Sequence, residues 1–174
     1  MIKITRPILS DAPKWCEYFF SLVKEDNLVD ALEASKGLTM DLVQTVPISK
    51  ENFSYAPGKW TIKTVFSHLI DCERYYAFYA MSYSRKDHIP IPTMSRDLFG
   101  LNDNANSRTM KDLGEEYLIV REGTIKLFSY MTDDMLDFKS NANDFVYTPR
   151  SLGWMTTGHN IHHCNLIKEK YLKV

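Results

Sequence analysis

Five histidines occur in the 174-residue chain, His68, His88, His159, His162 and His163, and three of them crowd into one pentapeptide. On a helix His159 and His163 are i and i+4, so their rings leave one face on successive turns. Two neutral imidazoles at that separation can converge on one divalent cation. His162 lies i+3 from His159 and offers similar reach, so spacing leaves the assignment within the cluster open. Leu152, Met155, His159, His163 and Leu166 share one arc of a helical wheel, which turns the pair toward a protein interior. Buried imidazoles need partners for their nitrogens, and a metal supplies them at once. His68 stands at the edge of the apolar face of an earlier helix. If the two helices are neighbours, three histidines meet and leave at least one coordination position for water or substrate, the arrangement of catalytic rather than structural zinc. Nickel accepts the same donors. Separate packing roles for each histidine account for the same spacings, because short motifs recur by chance.

Asp71, one turn after His68, is a candidate to orient its ring N–H, and Tyr75 is a candidate for proton transfer. Glu73 and Arg74 read as a solvated or intersubunit charge pair. Arg150 and the segment 90–106 are candidates to line the mouth of the site and meet an anionic substrate. A closed metal site would need a fourth protein ligand, with His162, Cys164 or Asp71 available. Tyr75, Tyr76, Tyr79 and Tyr83 read as core and interface, Trp60 and Trp154 as packing anchors, and His88 as surface.

The elements that must position these side chains are helical. Asp11 can cap a short helix to Val23, with Trp15, Phe19 and Leu22 on one face. A second helix runs from about Leu28 to Val46 and stops at Pro47. Thr61 opens a third, to about Ser84, whose buried face carries Ile62, Val65, Leu69, Cys72, Tyr76 and Tyr79. Residues 88–106, with two prolines and little periodicity, read as a long crossover. Ser107 or Thr109 starts the next helix, with a stripe from Met110 to Met131. Residues 133–150 are polar and partly extended, with a helical turn near Met135, and Ser151 caps a last helix to about Leu172. The pattern predicts an all-α, antiparallel four-helix bundle with a short extra N-terminal helix, one domain over residues 1–174. The long third connection permits a crossover in place of strict up-and-down order.

Composition narrows the function classes. Hydrophobic residues make up 44% and charged residues 25%, and 21 basic against 22 acidic side chains leave a net charge of -1. No basic excess is available for nucleic acid or an anionic membrane surface, and no apolar run approaches the ~18 residues of a membrane span. Three cysteines without a CxxC, and no sizeable apolar run near the start, predict reduced thiols in a cytoplasmic protein without a signal peptide.

Two segments resemble the signatures of the DinB/YfiT-like superfamily. The first is Ala56-Pro-Gly-Lys-Trp-Thr-Ile-Lys-Thr-Val-Phe-Ser-His68-Leu-Ile-Asp-Cys-Glu-Arg74. The second runs from Ser151-Leu-Gly-Trp-Met-Thr-Thr-Gly-His159-Asn-Ile-His-His163 to Leu172. With the intervening helices in order, the resemblance covers nearly the whole chain. It implies a four-helix bundle whose divalent metal, zinc or nickel, is held by His68, His159 and His163, with His162 a neighbour. It also implies a homodimer acting on a small molecule. Such relatives include transferases that attach low-molecular-weight thiols to electrophiles, and others are described as metal-dependent hydrolases. The expectation is therefore a metal-dependent thiol transferase. The alternatives are a hydrolase of the same fold, or a non-catalytic metal-binding stress protein.

Overall fold

The computed structural model describes residues 3–90, 92, 94–140 and 145–173. Among these residues seven α-helices follow in chain order: α1 (Cys16–Leu22), α2 (Leu28–Thr45), α3 (Ile62–Ser84), α4 (Arg96–Asn102), α5 (Met110–Ser129), α6 (Asp133–Leu136) and α7 (Pro149–Leu166). Among the described residues there is no strand, only an isolated bridge between Ser140 and Tyr147. The four long helices α2, α3, α5 and α7 form the bundle, and α1 lies against α7. Among the described residues no helix is long and apolar enough to cross a membrane.

Local chemistry explains most of the boundaries. Thr61 caps α3, its hydroxyl accepting from the Thr64 N–H at 3.1 Å, and Thr109 caps α5 through Asp112 at 3.0 Å, each satisfying a donor that the first turn leaves free. The cap of α7 is Thr148 rather than the expected Ser151. Thr148 and Ser151 exchange side chain-to-backbone bonds at 2.9 and 3.1 Å in a capping box, and Pro149 takes the first helical position, where its missing N–H costs nothing. The first helix also starts later than expected. Asp11 closes a 3-10 turn (Leu9–Asp11), Ala12 is extended at φ -154° and ψ 158° because Pro13 follows it, and α1 begins only at Cys16. The expected loop over residues 88–106 contains α4 and a 3-10 turn (Ala105–Ser107). Helix α4 buries no residue, so it left no apolar stripe to read. The last α-helix ends at Leu166 and continues as π-helical turns from Ile167 to Leu172.

Two apolar clusters fill the two ends of the bundle. One joins Leu28 and Leu32 of α2 to Tyr83 of α3, Phe128 of α5 and Leu152 of α7. The other joins Leu42, Phe66, Leu113 and Cys164 of the same four helices. Helices α2 and α7 therefore run from the first end to the second, and α3 and α5 run back. Helix α3 packs on α5 and α7, and α2 packs on α5 and α7, which places α2 diagonal to α3. The expected antiparallel contacts hold for α2–α5 and α3–α7, whereas α3 and α5 are parallel neighbours. Parallel neighbours oblige the chain to travel back along the bundle between Ser84 and Met110, the crossover that the long third connection permits.

Helix α7 is buried on every side from Pro149 to Asn160, not only along the arc of Leu152 and His159, because α1, α2 and α3 surround it. Gly158 allows the closest approach: a Cβ there would lie 2.2 Å from the carbonyl oxygen of Phe19 on α1. Glu73 and Arg74 do not form the expected solvated pair. Glu73 is 3% exposed and accepts two bonds of 2.7 Å from the fully buried Arg121 of α5, and Arg121 also donates to the Leu32 carbonyl at 2.8 Å and the Ser35 hydroxyl at 2.5 Å on α2. The exposed Arg74 pairs with Glu116 at 2.6 Å instead. The two charges of a turn thus separate, one inward and one outward, because residues 73 and 74 are about 100° apart around a helix.

Candidate metal centre

Antiparallel packing of α3 on α7 brings His68 opposite His159 and His163. The Nε2 atoms of His68 and His159 are 3.2 Å apart, and those of His159 and His163 are 3.1 Å apart. All three side chains are buried. A neutral ring nitrogen either donates or accepts along one in-plane direction, so His159 Nε2 cannot satisfy both neighbours by ordinary hydrogen bonds. A cation can. Metal–nitrogen bonds of about 2.0–2.1 Å put octahedral nitrogen donors about 2.8–3.0 Å apart and tetrahedral ones about 3.3–3.4 Å apart, and both separations fall between these values. The donor set therefore fits a divalent metal.

Burial also sets the protonation state. It is the main cause that lowers His68 to about 4 and His163 to about 2, with the charge of Arg96 adding to both and the neighbouring imidazoles adding to His163. His159 is pushed well below the ordinary histidine range by burial and then by His163, His68 and His162. At neutral pH the three rings are uncharged, the form that binds metal. Among the described residues, the buried Nδ1 of His163 has no hydrogen-bond partner.

The histidines open onto a cavity of about 720 Å³. Aromatic residues dominate its wall: Trp15 just before α1, Phe19 on α1, Trp60 before α3, and Tyr75 and Tyr76 on α3. The Trp60 ring lies 4.8 Å from that of His68, and Phe19 lies 5.9 Å from His159. Pro92, Met94 and Arg96 of the return connection complete the wall, and Lys59 joins Arg96 as a second cation. The Arg96 guanidinium stacks over Trp60 at 5.7 Å.

Other candidates from the sequence divide. Tyr75 reaches the cavity, but its hydroxyl donates to the Pro92 carbonyl, tying α3 to the return connection. Asp71 does not orient His68; it lines a separate cavity of about 630 Å³ with Arg108 and Glu116, because three residues of helix leave it about 60° around α3 from His68. His162 lines the same cavity as the other histidines, with its ring 4.9 Å from that of His163, but its Nδ1 lies 2.9 Å from the Tyr18 hydroxyl. Cys164 is buried beside Thr39 at 3.4 Å, on the α2 side of α7. Arg150 is not at the mouth. It is bound at the start of α7 by Asp137 at 2.6 and 2.9 Å and Asp133 at 3.1 Å. The proposed mouth segment contributes through Pro92, Met94 and Arg96, while its residues 91 and 93 lie outside the described residues. His88 is exposed, as expected. Tyr79, Tyr83 and Trp154 are core.

Cys72 was missed. Its sulfur lies 3.5 Å from both ring nitrogens of His68, and donor atoms of His68, Cys72 and His159 all fall within 4.8 Å of one another. Cys72 is i+4 from His68, the same spacing as His159 and His163, which is the signal that could have found it.

Comparison with known proteins agrees with this architecture. YfiT from Bacillus subtilis, described as a probable metal-dependent hydrolase with an unusual four-helix bundle topology, superposes with a TM-score of 0.76 over 97% of this chain and 92% of that one at 14% identity. At that identity the likeness is one of fold. Comparison with curated proteins gives no match. The DinB superfamily profile matches residues 31–167, a span that runs from within the first turn of α2 to the end of α7 and takes in every histidine of the cluster, and the chain belongs to the DinB superfamily.

Proposed function

We propose that the protein is a divalent-metal-dependent enzyme in which His68, His159 and His163 hold the cation and a low-molecular-weight thiol is transferred to a small electrophile. The convergence of three uncharged imidazole nitrogens at 3.1 and 3.2 Å beside a cavity carries the reading. Zinc or nickel bound there would supply Lewis acidity that lowers the pKa of a nucleophile at a remaining coordination position. The chain's own residues do the rest. Trp60 and Phe19 exclude water from the histidines, which strengthens electrostatic interactions inside. Lys59 and Arg96 present two positive charges to an anionic group at the mouth. A thiol suits these walls, since the cavity's acidic residue, Asp97, is exposed and faces Arg96 at 3.4 Å, leaving no buried carboxylate among the described lining residues to take a proton from water.

Hydrolysis is the second reading, favoured by the description of YfiT. We also propose a cytoplasmic, single-domain homodimer, to which the exposed Phe78 and Met81 of α3 offer apolar surface. The test is elemental analysis of protein purified without added metal or an affinity tag. About one equivalent of zinc or nickel, lost in His159→Ala, is expected for a three-histidine site. Absence of metal after dialysis against both cations would refute it. Thiol–electrophile pairs and esters, assayed with the loaded protein, then separate transfer from hydrolysis.

A further inference from the structure

We propose that Cys72 is a fourth protein donor to the same centre, so that α3 and α7 each contribute one i,i+4 pair: His68 with Cys72, and His159 with His163. This rests on the metal reading above and goes beyond its three histidines.

The argument is geometric. Cys72 is 2% exposed and lines the cavity on the face that carries His68. Its sulfur is equidistant from His68 Nδ1 and Nε2, 3.5 Å from each, so it is directed at neither as a hydrogen bond would be. It stands beside the ring, at least about 90° from the lone-pair axis of either nitrogen, so it joins a metal held by His68 only after rotation about its own χ1. The sulfur is also within 4.8 Å of His159's donor atom. The other two cysteines have no such setting: Cys164 packs against Thr39 and Asn160 on the far side of α7, and Cys16 lies in the core cluster at the other end of the bundle.

Cys72 would bind as thiolate, its proton passing to water. A soft sulfur donor biases the centre toward tetrahedral zinc or cobalt and against octahedral nickel. It fills the fourth tetrahedral position in the resting protein, so an incoming thiol binds only by displacing Cys72 or by adding as a fifth donor.

Cobalt(II) alone is the probe. Metal-free wild type, Cys72→Ser, Cys72→Ala and His159→Ala are titrated with cobalt and followed by visible and near-ultraviolet absorption, with far-ultraviolet circular dichroism confirming that each variant is folded. The wild type is expected to show intense tetrahedral d–d bands together with a thiolate-to-cobalt charge-transfer band. Both Cys72 variants keep one cobalt, lose the charge-transfer band and bind roughly tenfold or more weakly, since even outer partners of a metal ligand are worth that much. Cobalt bound by the wild type without the charge-transfer band would overturn the role of Cys72 and leave the three-histidine centre standing. A band that survives in Cys72→Ser would overturn it equally. No cobalt bound by the wild type would overturn both readings.

Discussion

Replacing Glu73 by alanine leaves the guanidinium of Arg121 buried without its counter-charge. Arg121 is completely buried and Glu73 nearly so, and two parallel bonds of 2.7 Å join them. The Leu32 carbonyl and Ser35 hydroxyl that also receive Arg121 cannot neutralise it. Breaking such a pair from one side costs about 3–5 kcal/mol, a large part of the roughly 5–15 kcal/mol that holds a domain together. For a chain of this size that is a fall of roughly 6–20 °C in Tm. The double variant Glu73→Ala/Arg121→Ala removes the stranded charge and loses only the two neutral bonds of Arg121, while the Leu32 carbonyl keeps the Ser35 hydroxyl as a donor, at about 1–3 kcal/mol. The two single losses should therefore exceed the double by about 2 kcal/mol or more, as a double-mutant cycle measures. Urea unfolding of the metal-free protein at neutral pH, followed by far-ultraviolet circular dichroism, reads all four corners. A single-variant loss below about 1 kcal/mol, the value of a solvent-screened pair, or strict additivity, would refute the claim that this pair is dry.

Acid should destabilise the metal-free protein. The unfolded chain protonates its histidines below about 6.5, whereas burial holds those of the cluster neutral in the fold. The unfolded state therefore takes up more protons, and stability falls as pH drops from that value. For His68 alone, lowered to about 4, the loss is about 2 kcal/mol at pH 5, and a thermal midpoint that stays flat between pH 7 and pH 5 would contradict it. Gly158→Ala must push α1 from α7, because its Cβ would meet the Phe19 carbonyl at 2.2 Å; about 1–3 kcal/mol is expected from such overpacking. Gly37→Ala is the control: nothing lies within 4 Å of its Cβ position in α2, so it should be neutral or stabilising by up to about 1 kcal/mol.

Helix positions and the shared face of His159 and His163 were legible because both depend on short-range periodicity, whereas the place of His68 beside them, 91 residues before His159 on another helix, came from the family resemblance. Thr61 and Thr109 stand where a hydroxyl precedes an apolar run, and each caps its helix. What stayed hidden is tertiary. Glu73 read as surface because carboxylates seldom enter a core unpaired, and its partner Arg121 lies 48 residues away on another helix. Cys72 disappeared into the apolar stripe of α3, since a free cysteine packs like a small hydrophobe. Asp71 illustrates the converse: one turn of separation from His68 suggested contact, yet the side chain faces a different cavity. Thr148 and Ser151 both carry capping hydroxyls, and only the pair of reciprocal bonds decides which is outermost.

Because α3 and α5 point the same way, the stretch between them runs the length of the bundle and supplies Pro92, Met94 and Arg96 to the cavity wall. The histidines belong to α3 and α7, which meet face to face without it. The proposed metal centre and the wall of its cavity are thus separable modules. Substitutions, insertions and deletions are tolerated best in such connecting chain, so rewriting this stretch changes what reaches the imidazoles and leaves them in place. A lineage, or a designer, can retarget the chemistry there without repacking a single long helix.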